Sequence, residues 1–182
     1  MIRMKKPPGV TEKTIRISGG KRRIKALVVK PAELKPDEKV PGVLWLHGGG
    51  YVTGFPQMVY MSRAIDLVTI GRAVVVSPAY TLSWKKPYPA ALEDVYDALV
   101  WMKDHAEELG IRDDQLMVGG ESAGGGLTAA LCMYAHDLNT VQIAYQMPLY
   151  PMIDCVDTES SRDNHEKIWN TSRNHLAWKL YL

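Results

Sequence analysis

The 182-residue sequence is poor in cysteine, in net charge and in long apolar runs, and each shortage excludes a class of protein. Two cysteines, Cys132 and Cys155, are too few for a disulfide framework, and Cys132 lies in an apolar helical run that predicts a small core residue. A formal net charge of +2 gives no electrostatic reason to bind nucleic acid or an acidic membrane. The basic residues between Lys21 and Lys25 are interpreted as a solvated hairpin rather than a binding patch.

No segment has the apolar length of a membrane span, and residues 1–10 have no apolar stretch behind their positive charges, so no secretory signal is predicted. The remaining composition, 46% hydrophobic and 23% charged, is typical of one globular domain. We therefore expect a cytoplasmic protein that binds neither nucleic acid nor membranes. The sequence gives no reason to expect a metal or a cofactor.

Short apolar runs alternate with helical segments along the chain. Strands are predicted at Val43–Leu46, Ala73–Val76, Leu116–Val118 and Ile143–Leu149, and helices at Pro89–Gly110 and Ala123–His136. Two further strands, Thr14–Ser18 and Ile24–Lys30, predict a hairpin around the turn Gly19-Gly20-Lys21. Because runs that are apolar on successive residues fit a sheet covered on both faces, we expect an α/β layered fold with a mainly parallel sheet and an N-terminal antiparallel hairpin.

One motif, Gly120-Glu121-Ser122-Ala123-Gly124, matches the G-x-S-x-G pattern of a nucleophilic serine. The pattern alone is weak, but a predicted strand leads into it and an apolar helix leaves from it, which is the context that it requires. Glycine on either side gives room for a sharp turn that exposes the serine hydroxyl, and the following helix directs its positive dipole end towards the site. A glycine-rich turn that only joins strand to helix is the alternative.

A second motif, His47-Gly48-Gly49-Gly50, directly follows the predicted strand Val43–Leu46. Three consecutive glycines lose much chain entropy on folding, which is explained if their N–H groups must closely approach a ligand atom. With the N–H group of Ala123, they would surround the oxygen of a tetrahedral intermediate, as in the HGGG-type loop of esterases. We predict that His47 anchors this loop. A flexible connection is the alternative for the glycines taken alone.

These stretches resemble the hormone-sensitive-lipase-like branch of the α/β-hydrolases, which includes bacterial acetyl esterases and carboxylesterases. The resemblance spans about residues 24–155 and is carried by His47–Tyr51, Pro87–Asp94, Gly120–Gly125 and Leu149–Asp154. It implies a three-layer α/β-hydrolase fold and the hydrolysis of short-chain carboxylic esters by a Ser–His–Asp triad. Amide hydrolysis is an alternative for the same half-site.

The resemblance also implies roles for individual residues, with Ser122 as the nucleophile. The oxyanion hole would consist of three backbone N–H groups, those of Gly49, Gly50 and Ala123, with Gly48 in the same loop. Glu121 matches the family's acidic position beside the nucleophile, where a structural or water-positioning role is expected. One stretch departs from the family, which usually reads Asp-Tyr-Arg-Leu-Ala-Pro-Glu where residues 79–85 read Ala-Tyr-Thr-Leu-Ser-Trp-Lys. The missing acid–arginine pair puts in doubt whatever that segment stabilises.

The sequence offers no clear base for the Ser122 hydroxyl, although such a nucleophile needs one. In this fold the acid and then the histidine follow the serine along the chain. His105 is predicted on a helix flank, and His136 lies fourteen residues beyond Ser122 along one helix, roughly 20 Å away. His165 and His175 lie within and after a polar, turn-rich stretch that contains no further predicted strand.

Only one strand is predicted after the nucleophile, so the next acids, Asp154 and Asp157, precede any strand that would return the chain to it. Asp154 is better interpreted as a turn residue. We expect residues 1–155 to form the N-terminal part of a hydrolase domain and residues 156–182 to begin a helical cap, which leaves the fold incomplete at its C-terminus. Such a chain would have little or no activity alone, and its exposed sheet edge predicts a homo-oligomer. The alternative is a non-catalytic module of the same fold that binds an acyl or carboxylate ligand or mediates assembly.

Overall fold

The computed structural model describes residues 6–18, 20, 22–35 and 37–182. The strands in this part of the chain are β1 Val10–Ile17, β2 Ile24–Pro31, β3 Val40–Leu46, β4 Val74–Pro78, β5 Ile111–Glu121 and β6 Tyr145–Leu149. Its α-helices are α1 Ala64–Thr69, α2 Ala90–Asp104, α3 Ala106–Leu109, α4 Ala123–Leu138, α5 Glu159–Arg162 and α6 Thr171–Tyr181. A 3-10 helix, Pro56–Met61, precedes α1.

The strands form one sheet in the order β1-β2-β4-β3-β5-β6. β2 pairs antiparallel with both β1 and β4, whereas β4, β3, β5 and β6 pair in parallel. This confirms the predicted mainly parallel sheet with an N-terminal antiparallel hairpin. Two residues of the predicted turn, Gly19 and Lys21, lie outside the described residues. Within the described chain, the outer side of β6 has no strand partner, so β6 and β1 form the two edges of the sheet.

Helices cover both faces of the sheet. On one face α2, α4 and α6 pack against strand side chains such as Leu44 and Val76, and on the other the 3-10 helix and α1 pack against Val43 and Val75. Successive strand residues therefore face opposite cores, which explains why these strands are continuous apolar runs. The expected three-layer α/β arrangement is confirmed. It places the ends of β3 and β5 side by side, with Leu46 paired to Gly120.

Some predicted boundaries are wrong, each for a local reason. The predicted helix Pro89–Gly110 divides at His105, where φ and ψ of −110° and 22° end α2 and the imidazole stacks on Trp101. Gly110, at a φ of 70°, ends α3 as predicted. β5 extends well beyond Leu116–Val118 because its charged beginning pairs with the start of β3 across a bulge. The 3-10 helix and α1 have no counterpart among the predicted elements.

The C-terminal helix α6 joins the main core. Trp178 and Tyr181 are buried, and the Tyr181 ring stacks on Tyr51 with 4.0 Å between the ring centroids. The Tyr88 N–H group donates to the Tyr181 carbonyl oxygen at 2.6 Å. The expected division into residues 1–155 and a cap from residue 156 stays a prediction.

Three findings bear on the composition argument. Cys132 is half-buried against the main core, where burial raises the pKa of its thiol to about 11, and Cys155 is exposed. None of the helices in the described ranges is long and apolar enough to cross a membrane. Across the same residues, no group of three or more His, Cys, Asp or Glu side chains is arranged to hold a metal ion. The cytoplasmic location stays a prediction.

Candidate functional site

Ser122 occupies the corner between β5 and α4. Its φ of 54° and ψ of −117° are unusual for a non-glycine residue, and such a conformation costs on the order of 1–3 kcal/mol. Three backbone hydrogen bonds of 3.0 Å offset this strain: the Ser122 N–H group donates to the Leu149 carbonyl, and the Ser122 carbonyl accepts from the N–H groups of Gly126 and Met152. The side chain stays partly exposed and lines a cleft.

Gly120 and Gly124 allow this corner to pack against the end of β3. A Cβ atom at Gly120 would lie 2.4 Å from the Gly124 carbonyl oxygen, and one at Gly124 would lie 2.1 Å from the Leu46 carbonyl oxygen. Both contacts are with backbone atoms, which cannot rotate away as a flexible side chain can. Backbone packing therefore explains the spacing of the two glycines around Ser122.

The glycine loop after β3 lies against the same corner. A Cβ atom at Gly48 would be 3.0 Å from the Glu121 carbonyl oxygen and 3.4 Å from the Ser122 Cβ atom. The absence of a side chain at Gly48 therefore lets the loop approach the serine. The two sequence motifs, which are far apart in the chain, meet at one point of the structure.

Three backbone N–H groups at this corner are free of protein acceptors within the described ranges. Those of Gly49 and Gly50 belong to residues with φ values of 116° and 61°, in the left-handed region that favours glycine. The third, that of Ala123, is at the first position of α4, where a helix offers no internal acceptor. These groups are the donors that the sequence predicts for an oxyanion, and that role stays a prediction.

His47 is buried at the start of the glycine loop. Its Nδ1–H group donates to the Gly48 carbonyl at 2.8 Å, and its ring stacks on Tyr80 with 4.2 Å between the centroids. The Tyr80 hydroxyl donates to the His47 carbonyl at 2.7 Å. Burial lowers the pKa of His47 to about 4, although the hydrogen bond to Gly48 partly opposes the shift. A neutral imidazole held by two neighbours has the contacts of an anchor for the loop.

Glu121, beside Ser122, ties the corner to two neighbouring segments. Its Oε1 atom accepts the Arg63 N–H group at 3.2 Å, immediately before α1. On the other side, Glu121 forms a hydrogen bond with the Tyr150 hydroxyl, and burial together with this carboxylate raises the pKa of Tyr150. Tyr150 follows β6 directly and has a φ of 35°. These contacts are those of a positioning residue.

The segment of residues 79–85, which lacks the expected acid–arginine pair, is held by other partners. Asp94, fully buried in α2, accepts the Thr81 N–H group at 2.7 Å and the Arg22 Nε–H group at 2.6 Å. Burial opposes the charge on Arg22, but hydrogen bonds to Asp94 and to the glutamate before it outweigh that effect and raise its pKa. This segment also carries Tyr80, whose hydroxyl binds the His47 carbonyl. The Arg22–Asp94 ion pair therefore holds the segment that contacts the start of the glycine loop.

None of the five histidines, all of which are described, forms a hydrogen bond with the Ser122 hydroxyl. His47 and His105 bind backbone carbonyls, and the other three pair with nearby aspartates: His136 with Asp137, His165 with Asp163 and His175 with Asp157. Asp154, the other candidate acid, accepts the N–H group of Val156 at 2.9 Å in a bend. The described residues thus bring the Ser122 hydroxyl together with free backbone N–H groups, but with no histidine.

Ser122 and the glycine loop line one cleft of about 680 Å³. The other walls come from the segment after β6 and from residues before and within α6, including Trp169 and Asn174. The Tyr51 hydroxyl donates to the Met152 carbonyl at 2.6 Å and so joins the loop to the segment after β6. Trp169 belongs to residues 156–182, which were predicted only as the start of a cap, because its place in the cleft depends on a chain reversal that has no local signal.

The profile of a family described as the α/β-hydrolase fold matches residues 43–182, more than half of the chain. Among curated relatives, esterase LipI of Mycobacterium tuberculosis is 36% identical over 118 residues, which cover 64% of this chain and 36% of that protein. Carboxylesterase NlhH of the same species is 33% identical over 117 residues, 63% of this chain and 35% of that protein.

Solved structures of esterases are also similar to this chain. A bacterial heroin esterase superposes with a TM-score of 0.87 at 29% sequence identity, over 96% of this chain and 56% of that one. A thermostable esterase from Pseudomonas putida superposes with a TM-score of 0.87 at 31% identity, over 96% of this chain and 55% of that one. The chain therefore spans little more than half the length of these solved structures, and 36% and 35% of the two curated relatives.

Proposed function

Because the chain belongs to the α/β-hydrolase-fold family, we propose that it supplies the nucleophile and the oxyanion hole of a serine carboxylesterase for short-chain acyl esters. The observation that carries this proposal is the strained conformation of Ser122 beside a glycine loop whose N–H groups have no acceptor in the described chain. Such strain persists where a function requires an exposed side chain. Similarity to named esterases supports an ester as the substrate.

In the proposed mechanism, the Ser122 Oγ atom attacks the carbonyl carbon of the ester while its proton passes to a base. The carbonyl oxygen becomes an oxyanion that accepts hydrogen bonds from the N–H groups of Gly49, Gly50 and Ala123. The positive end of the α4 dipole favours the same charge. As the intermediate collapses, the ester C–O bond breaks, the leaving oxygen takes the proton back from the base and departs as the alcohol, and the acyl group stays on Ser122 until water releases it as the carboxylic acid. Losing one oxyanion donor typically slows such a reaction by ~10²–10³.

The base is the component that the described residues do not provide. His47 is unsuited to the task, since its Nδ1–H group binds the Gly48 carbonyl and burial lowers its pKa to about 4. We therefore propose that the 182-residue chain alone turns over esters slowly or not at all. The same observation favours a second candidate function, a non-catalytic module of this fold that binds an acyl or carboxylate ligand.

The test uses the 182-residue chain with p-nitrophenyl acetate, beside the variants Ser122→Ala and Ser161→Ala. Ser161 is a matched control because it also lines the cleft. We expect turnover close to that of Ser122→Ala, together with slow transfer of one acetyl group that peptide mapping locates on Ser122. Rapid turnover that requires Ser122 would contradict the proposal that the described residues provide no base. No acetyl group on Ser122 would contradict its role as nucleophile and favour the binding module.

A further inference from the structure

Trp169 lies directly against the glycine loop. A Cβ atom at Gly50 would be 2.4 Å from the Trp169 Cη2 atom and 2.7 Å from its Cζ3 atom. The far edge of the indole ring therefore occupies the space where any side chain at Gly50 would extend. Because Trp169 also lines the cleft that contains Ser122, its ring forms the wall of the cleft beside Gly50, one of the proposed oxyanion donors.

The position of Trp169 is held from both sides along the chain. The guanidinium group of Arg173 donates to the carbonyl oxygens of Lys167 and Ile168, the two residues that precede Trp169. The residue after it, Asn170, caps α6 by accepting the Arg173 N–H group at 3.0 Å. The Arg173 guanidinium thus holds the backbone before the indole ring and the Asn170 side chain holds the backbone after it, so the chain on both sides of the ring is tied to the start of α6.

The cleft also has exposed apolar side chains in its lining. Ile153, Val156 and Ile168 line it and are 67%, 68% and 88% exposed, respectively. An apolar group of a substrate gains contact area there without meeting a closed wall. The lining of the cleft therefore combines a large ring against the glycine loop with exposed apolar side chains from other segments.

We propose that Trp169 determines specificity by limiting the length of the acyl group that lies over the glycine loop, so that short acyl groups fit and longer linear ones do not. This inference rests on the proposed function, because it takes the Ser122 Oγ atom as the atom that bonds to the acyl carbon. Burying one further methylene group in an apolar pocket improves affinity roughly four-fold. Because the indole ring occupies this space, methylene groups beyond the first few are not buried there and add no affinity.

Alkylboronic acids test this directly, because they mimic the acyl group and need no turnover. The boron atom accepts an electron pair from the Ser122 Oγ atom, a B–O bond forms, and the hydroxyl proton passes to water. Binding of ethyl-, butyl- and hexylboronic acid to the 182-residue chain is measured by calorimetry. The variants are Trp169→Ala, Trp169→Phe and Ser122→Ala, with Trp84→Ala as the control, since Trp84 is 59% exposed and does not line the cleft.

We expect the wild-type chain and Trp84→Ala to bind ethylboronic acid more tightly than hexylboronic acid. Trp169→Ala should raise the affinity for hexylboronic acid by about ten-fold or more and change that for ethylboronic acid by less than about three-fold, with Trp169→Phe intermediate. If Trp169→Ala does not fold, as judged by circular dichroism, the comparison with Trp169→Phe decides the question. An unchanged order of affinities in the folded Trp169 variants would overturn the inference alone. Binding that survives in Ser122→Ala, or no binding at any length, would overturn the proposed function as well.

Discussion

The buried imidazole of His47 predicts a loss of stability in mild acid. Its pKa is about 4 in the folded chain and 6.5 in the unfolded chain, because burial disfavours the charged form. Well above pH 6.5 the imidazole is neutral in both states, and the free energy of unfolding has its full value with respect to this group. As the pH falls from 6.5 towards 4, only the unfolded chain takes up the proton, so the folded state is progressively disfavoured. From the two pKa values, proton linkage gives a decrease of about 2 kcal/mol in the free energy of unfolding between pH 7.5 and pH 5.

Urea unfolding of the 182-residue chain at pH 7.5 and at pH 5 measures this loss. The comparison includes His47→Gln, which removes the titrating group, and His136→Gln, which removes an imidazole whose side chain is 89% exposed. The wild-type chain and His136→Gln should lose about 2 kcal/mol more than His47→Gln over this pH interval. An equal loss in all three chains would show that the pH dependence comes from groups other than His47.

Three further predictions concern stability and assembly. Asp94→Ala should lower the unfolding free energy by about 2 kcal/mol in urea, because it leaves the Thr81 N–H group without its acceptor and removes one of the two carboxylates that pair with Arg22, whereas Glu107→Ala, in an exposed ion pair, should change it by less than about 1 kcal/mol. Gly124→Ala should cost about 2 kcal/mol in the same assay despite a better helix propensity, because its methyl group would lie 2.1 Å from a strand carbonyl oxygen; an increase in stability would contradict the packing described. Light scattering should find a dimer at micromolar concentration that Tyr145→Lys, on the β6 edge, converts to a monomer; a monomeric wild-type chain would contradict this.

The elements that sequence predicts well are those whose cause is local. The corner at Ser122 follows from the glycines that flank it and from the strand and helix on either side, all within a few residues. The glycine loop is similarly evident, because three glycines after an apolar strand need a close approach to explain them. Val74–Pro78 and its neighbours were predictable as strands because burial on both faces makes them continuously apolar.

The features that sequence does not predict depend on distant parts of the chain. The contact between Trp169 and Gly50 joins segments that lie on opposite sides of Ser122 along the chain, and neither segment carries a sign of the other. The same is true of Arg22, which comes from the N-terminal hairpin and pairs with Asp94, the acceptor of the Thr81 N–H group. The charged beginning of β5 resembles a turn locally and becomes a strand only because β3 lies beside it.

Reaction with an alkyl fluorophosphonate distinguishes a well-placed Ser122 nucleophile that lacks only its base from a serine that is not a nucleophile. The Ser122 Oγ atom displaces fluoride from phosphorus, and added imidazole serves as the external base that accepts the hydroxyl proton. Intact mass and peptide mapping should find one modification, on Ser122, at a rate that rises with imidazole concentration and is lost in Ser122→Ala. Modification of other serines instead, or none at Ser122 at any imidazole concentration, would show that Ser122 is not a nucleophile.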